Sequence, residues 1–200
     1  AAFCIAAWTL PICRRTSAGI ELRVHPTLIP DDRLIANVNG VMNAILVKGD
    51  AVGQTMYYGP GAGAEPTASA IVADLVDVTR MHTVDPRHRV PHLAFQPDLL
   101  SNLPILPMDE VETAYYLRMR VDDRTGVLAD ITRILADLSI SIDAMVQKEP
   151  GEGESQVDIV MLTHLTREKH INVAIARIES LPVVGGKVTL AGGKKPLKLT

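Results

Sequence analysis

Hydrophobic and polar positions follow a regular pattern most clearly in the second half of the chain. Apolar residues alternate with polar ones in strand-like stretches and recur every three or four positions in two helical ones. The predicted elements are a strand over 115–121, a helix over 127–138, strands over 140–148 and 156–162, a helix over 166–178 that Thr166 can cap, and a strand over 183–190. This order predicts a βαββαβ unit with both helices on one face of an antiparallel sheet, the ferredoxin-like arrangement.

The first half begins its regular pattern at Gly19. Apolar and polar side chains then alternate, which is typical of a half-buried strand, and Pro26 and Pro30 close it. His25 is a lone histidine beside a proline, so a structural role is favoured over metal binding. The alternating sets are Ile20, Leu22 and Val24 on one face and Glu21, Arg23 and His25 on the other.

A hairpin and a glycine-rich loop come next. Residues 44–47 and 54–58 are rich in β-forming side chains and flank a turn at 48–53. Gly61, Ala62 and Gly63 then precede a helical pattern from Pro66 to Arg80. Such glycines suit a loop whose backbone approaches a phosphate or a flat ring, and equally a tight turn between strand and helix. Both interpretations stand, because the spacing fits neither G-x-G-x-x-G nor a P-loop.

Residues 82–112 have no periodic pattern. Repeated prolines interrupt them, and His82, His88 and His92 match no zinc spacing, so a solvated linker is favoured and no metal ligand is assigned. The sequence therefore predicts five segments. They are an atypical start at 1–18, part of a first domain at 19–81, a linker at 82–112, the βαββαβ domain at 113–190 and a flexible tail at 191–200.

Composition argues against two classes of partner. The 200 residues are 47% hydrophobic and 22% charged, which suits a globular protein with a core. A net charge of −3 gives no electrostatic basis for binding nucleic acid, and the apolar stretch 1–13 is too short for a membrane span. Cys4 and Cys13 fit no zinc spacing and are interpreted as ordinary intracellular thiols, which predicts a cytoplasmic location.

Two blocks of sequence carry a family resemblance. The first consists of residues 24–30 (VHPTLIP), 37–44 (NVNGVMNA), 47–53 (VKGDAVG), 58–63 (YGPGAG) and 66–70 (PTASA), and the second of residues 123–128 (DRTGVL) within the βαββαβ pattern. The first block resembles the end of the catalytic region of bacterial homoserine dehydrogenase. The second resembles an ACT domain, the small-molecule sensing module of the longer members of that family. Together they cover residues 19–189, and the ends at 1–13 and 191–200 depart from the family pattern.

The resemblance implies an α+β protein, in which a partial homoserine dehydrogenase catalytic domain, made of a hairpin and a helix, is followed by a ferredoxin-like ACT domain. The whole enzyme would reduce aspartate 4-semialdehyde to homoserine with NAD(P), on the route to threonine, methionine and isoleucine. Hydride transfer requires the cofactor ring to lie against the carbonyl and a donor to protonate the alkoxide. In the family, the Rossmann glycines and the substrate-binding lysine and carboxylates lie upstream of this match. We therefore assign no catalytic residue and expect the chain alone to be inactive.

The same resemblance implies two binding regions. Gly61, Ala62, Gly63 and Thr67 would belong to a loop that closes over the cofactor, and the helix after it would pack on a nucleotide-binding layer. The ACT domain would assemble into a homodimer or larger oligomer and bind an amino acid, with threonine expected from the pathway. The expected effector-binding residues are Asp122, Asp123, Thr125, Gly126, Val127 and Leu128.

Alternatives remain open for the effector loop and for the chain as a whole. Backbone groups at the helix start could bind the effector carboxylate and Asp122 or Asp123 its ammonium, but Asp123 could instead cap the helix while Gly126 only shapes the loop. The chain could also be a stand-alone amino-acid-binding regulatory module, or an inert fragment.

Overall fold

The chain divides into two units, and one of them is built from two separate segments of sequence. The structure, a computed structural model, describes residues 5–85, 95, 97–147, 150–151 and 153–193. Residues up to Asp31 and from Leu103 onward form the first unit, and Asp32–Asn102 form the second. The elements are β1 (Ile5–Thr16), β2 (Gly19–Pro30), β3 (Met42–Lys48), β4 (Gln54–Pro60), α1 (Ala64–His82), β5 (Glu112–Asp122), α2 (Val127–Asp137), β6 (Ile142–Gln147), β7 (Gln156–Thr163), β8 (Thr166–Arg167), α3 (Glu168–Glu179) and β9 (Thr189–Gly193).

The strands of the first unit form one sheet in the order β1-β2-β9-β5-β7-β6, with β8 paired to β5. β1 and β2 are antiparallel along their whole length, and β5 lies antiparallel to both β7 and β9. β2 joins β9 through a short parallel contact in which Thr27 pairs with Gly192 and Leu28 with Gly193. The hairpin of residues 5–30 and the βαββαβ part therefore share one sheet.

The hydrophobic core of the first unit lies where α2 and α3 meet β5 and β7. Each large side chain that is fully buried there stabilises the fold by about 1.5–3 kcal/mol. The predicted α+β class and the βαββαβ order are confirmed. The core side chains with essentially no exposure include Leu117 and Met119 of β5, Ile131 and Leu135 of α2, Ile159 and Met161 of β7, and Ile171 and Ile178 of α3.

The last strand lies later in the sequence than the pattern predicted. Residues 183–188 form a loop, in which Val184 makes only an isolated bridge to Val121 and Gly186 has φ 102°, a left-handed conformation that glycine adopts without strain. The strand is Thr189–Gly193, so the predicted tail at 191–200 is wrong for residues 191–193, which pair with β5. Residues 194–200 lie outside the described part of the chain.

The predicted cap of α3 is also wrong. Thr166 lies in the two-residue strand β8 and pairs with Thr113 of β5, so it belongs to the sheet and is not the residue that begins the helix. Arg167 occupies the N-cap position of α3 and makes no side-chain cap hydrogen bond. The helix start is instead fixed by the backbone N–H of Glu168, which donates to the carbonyl of Val111 at 2.9 Å.

Strand β2 buries its polar face and exposes its apolar one. Glu21, His25 and Thr27 have exposed fractions of 1%, 6% and 7%, whereas Leu22 and Val24 are 46% and 66% exposed. Alternation correctly separated the two faces, but it did not indicate which one is covered. The polar face is buried because its side chains find ion pairs and hydrogen bonds both within β2 and with β1, β9 and α3.

The start of the chain is more regular than expected. Ile5–Thr16 is a strand that pairs with all of β2, although the sequence analysis treated 1–18 as an atypical start. β2 also continues through Pro26 to Pro30, because a strand tolerates proline where the missing N–H has no ladder partner.

The second unit contains the predicted hairpin and helix. β3 and β4 are antiparallel from Met42↔Pro60 to Lys48↔Gln54, and α1 follows the glycine loop. None of the α1 side chains is buried, and Ile71 and Leu75 are more than half exposed. None of the helices in the described part of the chain combines the length and hydrophobicity that a membrane span requires.

The predicted linker at 82–112 is only partly a connection between units. Residues 103–111 belong to the first unit: Ile20 N–H donates to the carbonyl of Pro104 at 2.8 Å, and Leu106 N–H to that of Ile20 at 2.9 Å. Short 3₁₀ turns occur at Pro97–Leu99 and Met108–Glu110. His82 ends α1, and His88 and His92 lie outside the described residues.

Candidate functional site

The loop between β5 and α2 is held by three backbone hydrogen bonds. Asp122 N–H donates to Val183 O at 2.9 Å, Asp123 N–H to Ser155 O at 3.0 Å, and Arg124 N–H to Asp122 O at 3.0 Å. These bonds tie the loop to the segment that follows α3 and to the start of β7. The predicted effector residues therefore lie where three parts of the ACT-like unit meet.

The two aspartates of this loop accept from glutamine side chains on neighbouring strands. Gln156 Nε2 of β7 donates to Asp122 Oδ1 at 3.2 Å, and Gln147 Nε2 of β6 lies 3.5 Å from Asp123 Oδ1. Asp122 is half-buried and Asp123 is exposed. An ionised carboxylate accepts several hydrogen bonds, so these contacts leave capacity for a ligand ammonium group.

The interpretation of Asp123 as the helix cap is wrong. Gly126 is the N-cap residue of α2, with φ 94° and ψ −26°, and no side chain caps the helix. The first helical hydrogen bond runs from Asp130 N–H to Gly126 O at 3.0 Å. The first-turn N–H groups before it have no acceptor within the helix, as at any α-helix start, and they carry the positive end of the helix dipole.

The remaining predicted effector residues divide between surface and core. Thr125 and Gly126 are exposed. Val127 is 5% exposed and packs into the core with Leu128 partly buried beside it, so these two residues can offer a ligand backbone N–H groups but not the Val127 side chain.

Local geometry explains why glycine occupies both positions 61 and 63 of the loop before α1. Gly61 N–H donates to Val41 O at 3.1 Å, and a Cβ at Gly61 would overlap the side-chain amide of Asn43. Gly63 is the N-cap of α1 with φ 125°, a conformation that other residues rarely adopt. The tight-turn interpretation thus accounts for both positions.

The surroundings of this loop do not exclude a ligand. Gly61, Ala62, Gly63 and Thr67 are all exposed, and Thr67 N–H makes the first helical bond to Gly63 O at 3.2 Å. The first turn also carries Glu65, whose negative charge opposes a phosphate at this helix start.

A buried polar cluster that the sequence analysis missed joins β2 to the ACT-like part. His25 Nδ1 lies 3.2 Å from Gly192 N, and His25 Nε2 lies 3.8 Å from Glu168 Oε2. The Tyr115 hydroxyl donates to Glu168, and its ring meets the His25 ring edge-on with centroids 6.0 Å apart. The alternation of polar residues along β2 is the sequence feature that could have indicated this cluster.

Electrostatics in this cluster favour the neutral phenol. Burial, followed by the hydrogen bond to Glu168 and the charge of that carboxylate, raises the pKa of Tyr115 well above its ordinary value. Among the described residues, no group of three or more His, Cys, Asp or Glu side chains is arranged to hold a metal ion. The cluster links β2, β5, β9 and the start of α3 through buried polar contacts.

Comparisons with known proteins agree with the order of the two regions. The homoserine dehydrogenase family model matches residues 5–76, and the ACT domain model matches residues 115–183. The expectation that the family pattern is absent before residue 14 is thus wrong for residues 5–13.

Relatives and solved structures extend this similarity over most of the chain. It is 59% identical over 179 residues to homoserine dehydrogenase of Pseudomonas aeruginosa, covering 90% of this chain and 41% of the relative. It is 59% identical over 178 residues to that of Methylobacillus glycogenes, covering 89% and 42%. The crystal structure of the Thiobacillus denitrificans homoserine dehydrogenase is 68% identical and superposes with a TM-score of 0.83, covering 96% of this chain and 43% of that one.

The chain thus spans about two fifths of the length of the curated relatives it matches. Its two matched regions occur in the same order as its two sequence blocks. The chain is therefore similar to homoserine dehydrogenases, with a match to that family's model at residues 5–76 followed by a match to the ACT domain model at residues 115–183.

Proposed function

We propose that this chain is the regulatory and cofactor-closing portion of an enzyme that interconverts L-homoserine and L-aspartate 4-semialdehyde with NAD(P). The observation that carries the proposal is 59% identity sustained over 179 residues, through the catalytic-region part and the ACT domain alike. The protein would act in the cytoplasm, as its two cysteines, in no zinc spacing, predict.

A chimaera tests this activity directly. This chain would replace the matched region of the Pseudomonas aeruginosa relative, and homoserine-dependent reduction of NADP would be measured. A folded chimaera that turns over substrate supports the proposal, and a folded but inactive one contradicts it. The 200-residue chain alone is expected to show no turnover, because no catalytic residue is assigned to it.

For the cofactor, the proposal places Gly61, Ala62, Gly63 and Thr67 against the nicotinamide nucleotide. Support comes from the exposure of this loop and from α1, whose exposed Ile71 and Leu75 suit packing against a further layer. Because Glu65 opposes a phosphate at the helix start, we expect the loop to contact the uncharged part of the cofactor. Within the active chimaera, Gly63→Ala should raise the KM for NADP, whereas Gly53→Ala in the β3–β4 turn, also at positive φ, should not.

For the effector, the proposal places an amino acid, L-threonine, at the loop Asp122–Leu128. Its carboxylate would accept from the N–H groups of Val127 and Leu128, and its ammonium would meet Asp122 or Asp123. Thr125 and Gly126 line the same opening. Calorimetry of the chain with L-threonine tests this, with Asp122→Asn expected to weaken binding and Asp137→Asn, at the other end of α2, to leave it unchanged. Absence of heat at millimolar threonine with folded protein would refute it.

The proposal also includes assembly of two or more copies through the ACT domain. β6 ends the described strand order of the sheet, and its Met145 and Val146 are more than a third exposed, so its outer edge suits pairing with another copy. Sedimentation equilibrium would detect a dimer. A monomer at tens of micromolar would contradict this part of the proposal.

The second candidate is a stand-alone amino-acid-binding regulatory module. It is favoured by the distribution of the core, which lies almost entirely in the ACT part, whereas α1 buries no side chain. Threonine binding by the chain together with an inactive, folded chimaera would favour this candidate over the enzyme.

A further inference from the structure

Strand β2 is attached to the ACT sheet by little backbone pairing. Within the described part of the chain, two residue pairs, Thr27↔Gly192 and Leu28↔Gly193, join it to β9. A side chain supplements them, because His25 is 94% buried and its ring lies against the backbone of Gly192. A Cβ at Gly192 would be 2.7 Å from Nδ1, so this close approach depends on glycine. His25 therefore adds a buried side-chain contact to the short backbone pairing between β2 and β9.

The Nδ1 atom of His25 has two possible partners that exclude each other. It lies 2.8 Å from the carbonyl oxygen of Pro26 in its own strand and 3.2 Å from the amide nitrogen of Gly192 in β9. If Nδ1 carries the hydrogen, it donates to Pro26. If Nδ1 is bare, it accepts from Gly192, and in the neutral ring the hydrogen is then on Nε2. The tautomer thus determines whether the imidazole forms a hydrogen bond within β2, to Pro26, or between strands, to Gly192 of β9.

Glu168 is placed to select the tautomer. Its Oε2 lies 3.8 Å from His25 Nε2, beyond hydrogen-bond distance, and accepts from the Tyr115 hydroxyl. The distances in the structure accordingly favour Nδ1–H donating to Pro26. If Glu168 came closer, its carboxylate would accept from Nε2–H and favour the tautomer whose bare Nδ1 accepts from Gly192.

Helix α3 connects Glu168 to the effector loop. Glu168 is the first of its 12 residues, so the helix is about 18 Å long. At its other end, Glu179 Oε1 accepts from Val188 N–H at 2.8 Å, and the segment between them supplies Val183 O to Asp122 N–H. Ile171, Ala174 and Ile178 of α3 are fully buried, so a displacement at one end of the helix would shift it against the sheet as a body.

We propose that His25 is a tautomer-controlled coupling between the ACT domain and strand β2 of the catalytic region. Binding of the effector at the Asp122 loop shifts α3 and thereby changes the distance between Glu168 and His25. That distance selects the His25 tautomer, and the tautomer determines whether the hydrogen bond between His25 and Gly192 forms or breaks. This inference rests on the effector site proposed above. It adds a defined route from that site to β2.

The test measures the tautomer itself by ¹⁵N NMR of the imidazole nitrogens in the 200-residue chain, with His25→Asn identifying the His25 signals. Saturating L-threonine is expected to raise the ratio of Nε2–H to Nδ1–H by about fivefold or more, the usual lower range of coupling between sites. Amide exchange at Gly192 should slow by a similar factor. A purely structural histidine would change neither signal.

Glu168→Gln is expected to abolish the threonine-induced change in tautomer while threonine still binds. His164→Asn is the matched control, since the His164 side chain is 44% exposed and lies 3.5 Å from Asp143, and it should respond as the unmodified chain does. If Glu168→Gln does not fold, Tyr115→Phe, which removes the hydroxyl that holds Glu168, replaces it and should weaken the response. A response that persists in the folded variants would overturn the inference.

Failure of the effector proposal can be told apart from failure of this coupling. If threonine binds but the tautomer ratio and the Gly192 exchange stay unchanged, the sensor remains and the coupling is refuted. If threonine does not bind, Asp122→Asn perturbs the same loop without ligand. A changed His25 tautomer ratio in Asp122→Asn then supports the coupling, and an unchanged ratio refutes it.

Discussion

Arg23 Nε lies 3.0 Å from Glu21 Oε1, and both side chains are at least nine-tenths buried on the same face of β2. Arg14, which is 55% exposed, contributes a second guanidinium group at 2.5 Å from Glu21 Oε2. Among the described residues, Glu21 Oε1 and Arg23 Nη1 have no aligned hydrogen bond, so the pair relies on charge attraction at a site with little water. Removing one partner leaves a buried charge without compensation.

Glu21→Gln should lower the free energy of unfolding by about 3 kcal/mol, because Arg23 then stays buried without its counter-charge. Urea unfolding monitored by circular dichroism measures this. Asp158→Asn is the matched control: it breaks an ion pair with the exposed Arg118 and should cost less than about 1 kcal/mol. The double variant Glu21→Leu/Arg23→Met should recover most of the loss. Equal effects of Glu21→Gln and Asp158→Asn would contradict the interpretation.

Gly192→Ala should destabilise the junction of β2 and β9. The added Cβ would lie 2.7 Å from His25 Nδ1 and 3.0 Å from Cε1, and the buried ring has little room to move. Overpacking of this kind costs about 1–3 kcal/mol. Gly193→Ala is the control, since its nearest neighbour would be 3.9 Å away and the change should stay within about 0.5 kcal/mol. Thermal unfolding of both variants measures the loss of stability. Similar losses in Gly192→Ala and Gly193→Ala would contradict the close contact between Gly192 and His25.

Tyr115 should make the fold sensitive to alkaline pH. Its pKa is raised in the folded state, so the unfolded chain loses the phenolic proton first, near pH 10, and the folded chain keeps it. The stabilising contribution is therefore complete below pH 10 and declines as the pH rises above it. Tyr115→Phe should be less stable at neutral pH, because Glu168 loses a donor, but its stability should fall less steeply above pH 10. Parallel pH profiles for the two proteins would refute this.

Gly126 is expected to be required for the start of α2. With φ 94° it lies in a left-handed region that costs an L-residue about 1–2 kcal/mol, and no atom blocks a Cβ there, so strain alone determines the loss. Gly126→Ala should lower the free energy of unfolding by this amount and weaken the threonine binding proposed for this loop. Gly126→Asn, which tolerates left-handed backbone better, should lose less of both. Calorimetry measures the change in binding, and urea unfolding of the same preparations measures the change in stability. Equal losses of stability in Gly126→Ala and Gly126→Asn would contradict the argument from backbone strain.

Sequence patterns predicted the ACT domain well because its elements are local and strongly periodic. The helix from Val127 and the strands β5 and β7 follow directly from the spacing of apolar residues along the chain. Family resemblance then supplied the identity of both regions. The loop residues of the candidate effector site could be placed, but the capping role of Asp123 could not be decided, since it depends on whether Gly126 adopts positive φ.

What sequence could not provide were contacts between distant segments. Leu22 and Val24 fit a buried strand face by pattern, yet His25 on the opposite face is buried because Glu168 and Gly192, far along the chain, supply its contacts. No local periodicity encodes a partner that lies more than 140 residues away.

The first unit is discontinuous in sequence, with its sheet completed by residues 5–31 and 103–193 on either side of the second unit. The piece before residue 32 therefore supplies β1 and β2 of this sheet, and the piece after residue 102 supplies its other strands. Each piece also contributes part of the buried polar cluster. Expressed as separate polypeptides, they should reassociate without a covalent connection, as split reporter proteins do. The association of the two pieces would then depend on their contacts within the sheet, and the peptide backbone between them would serve mainly to keep them at high local concentration.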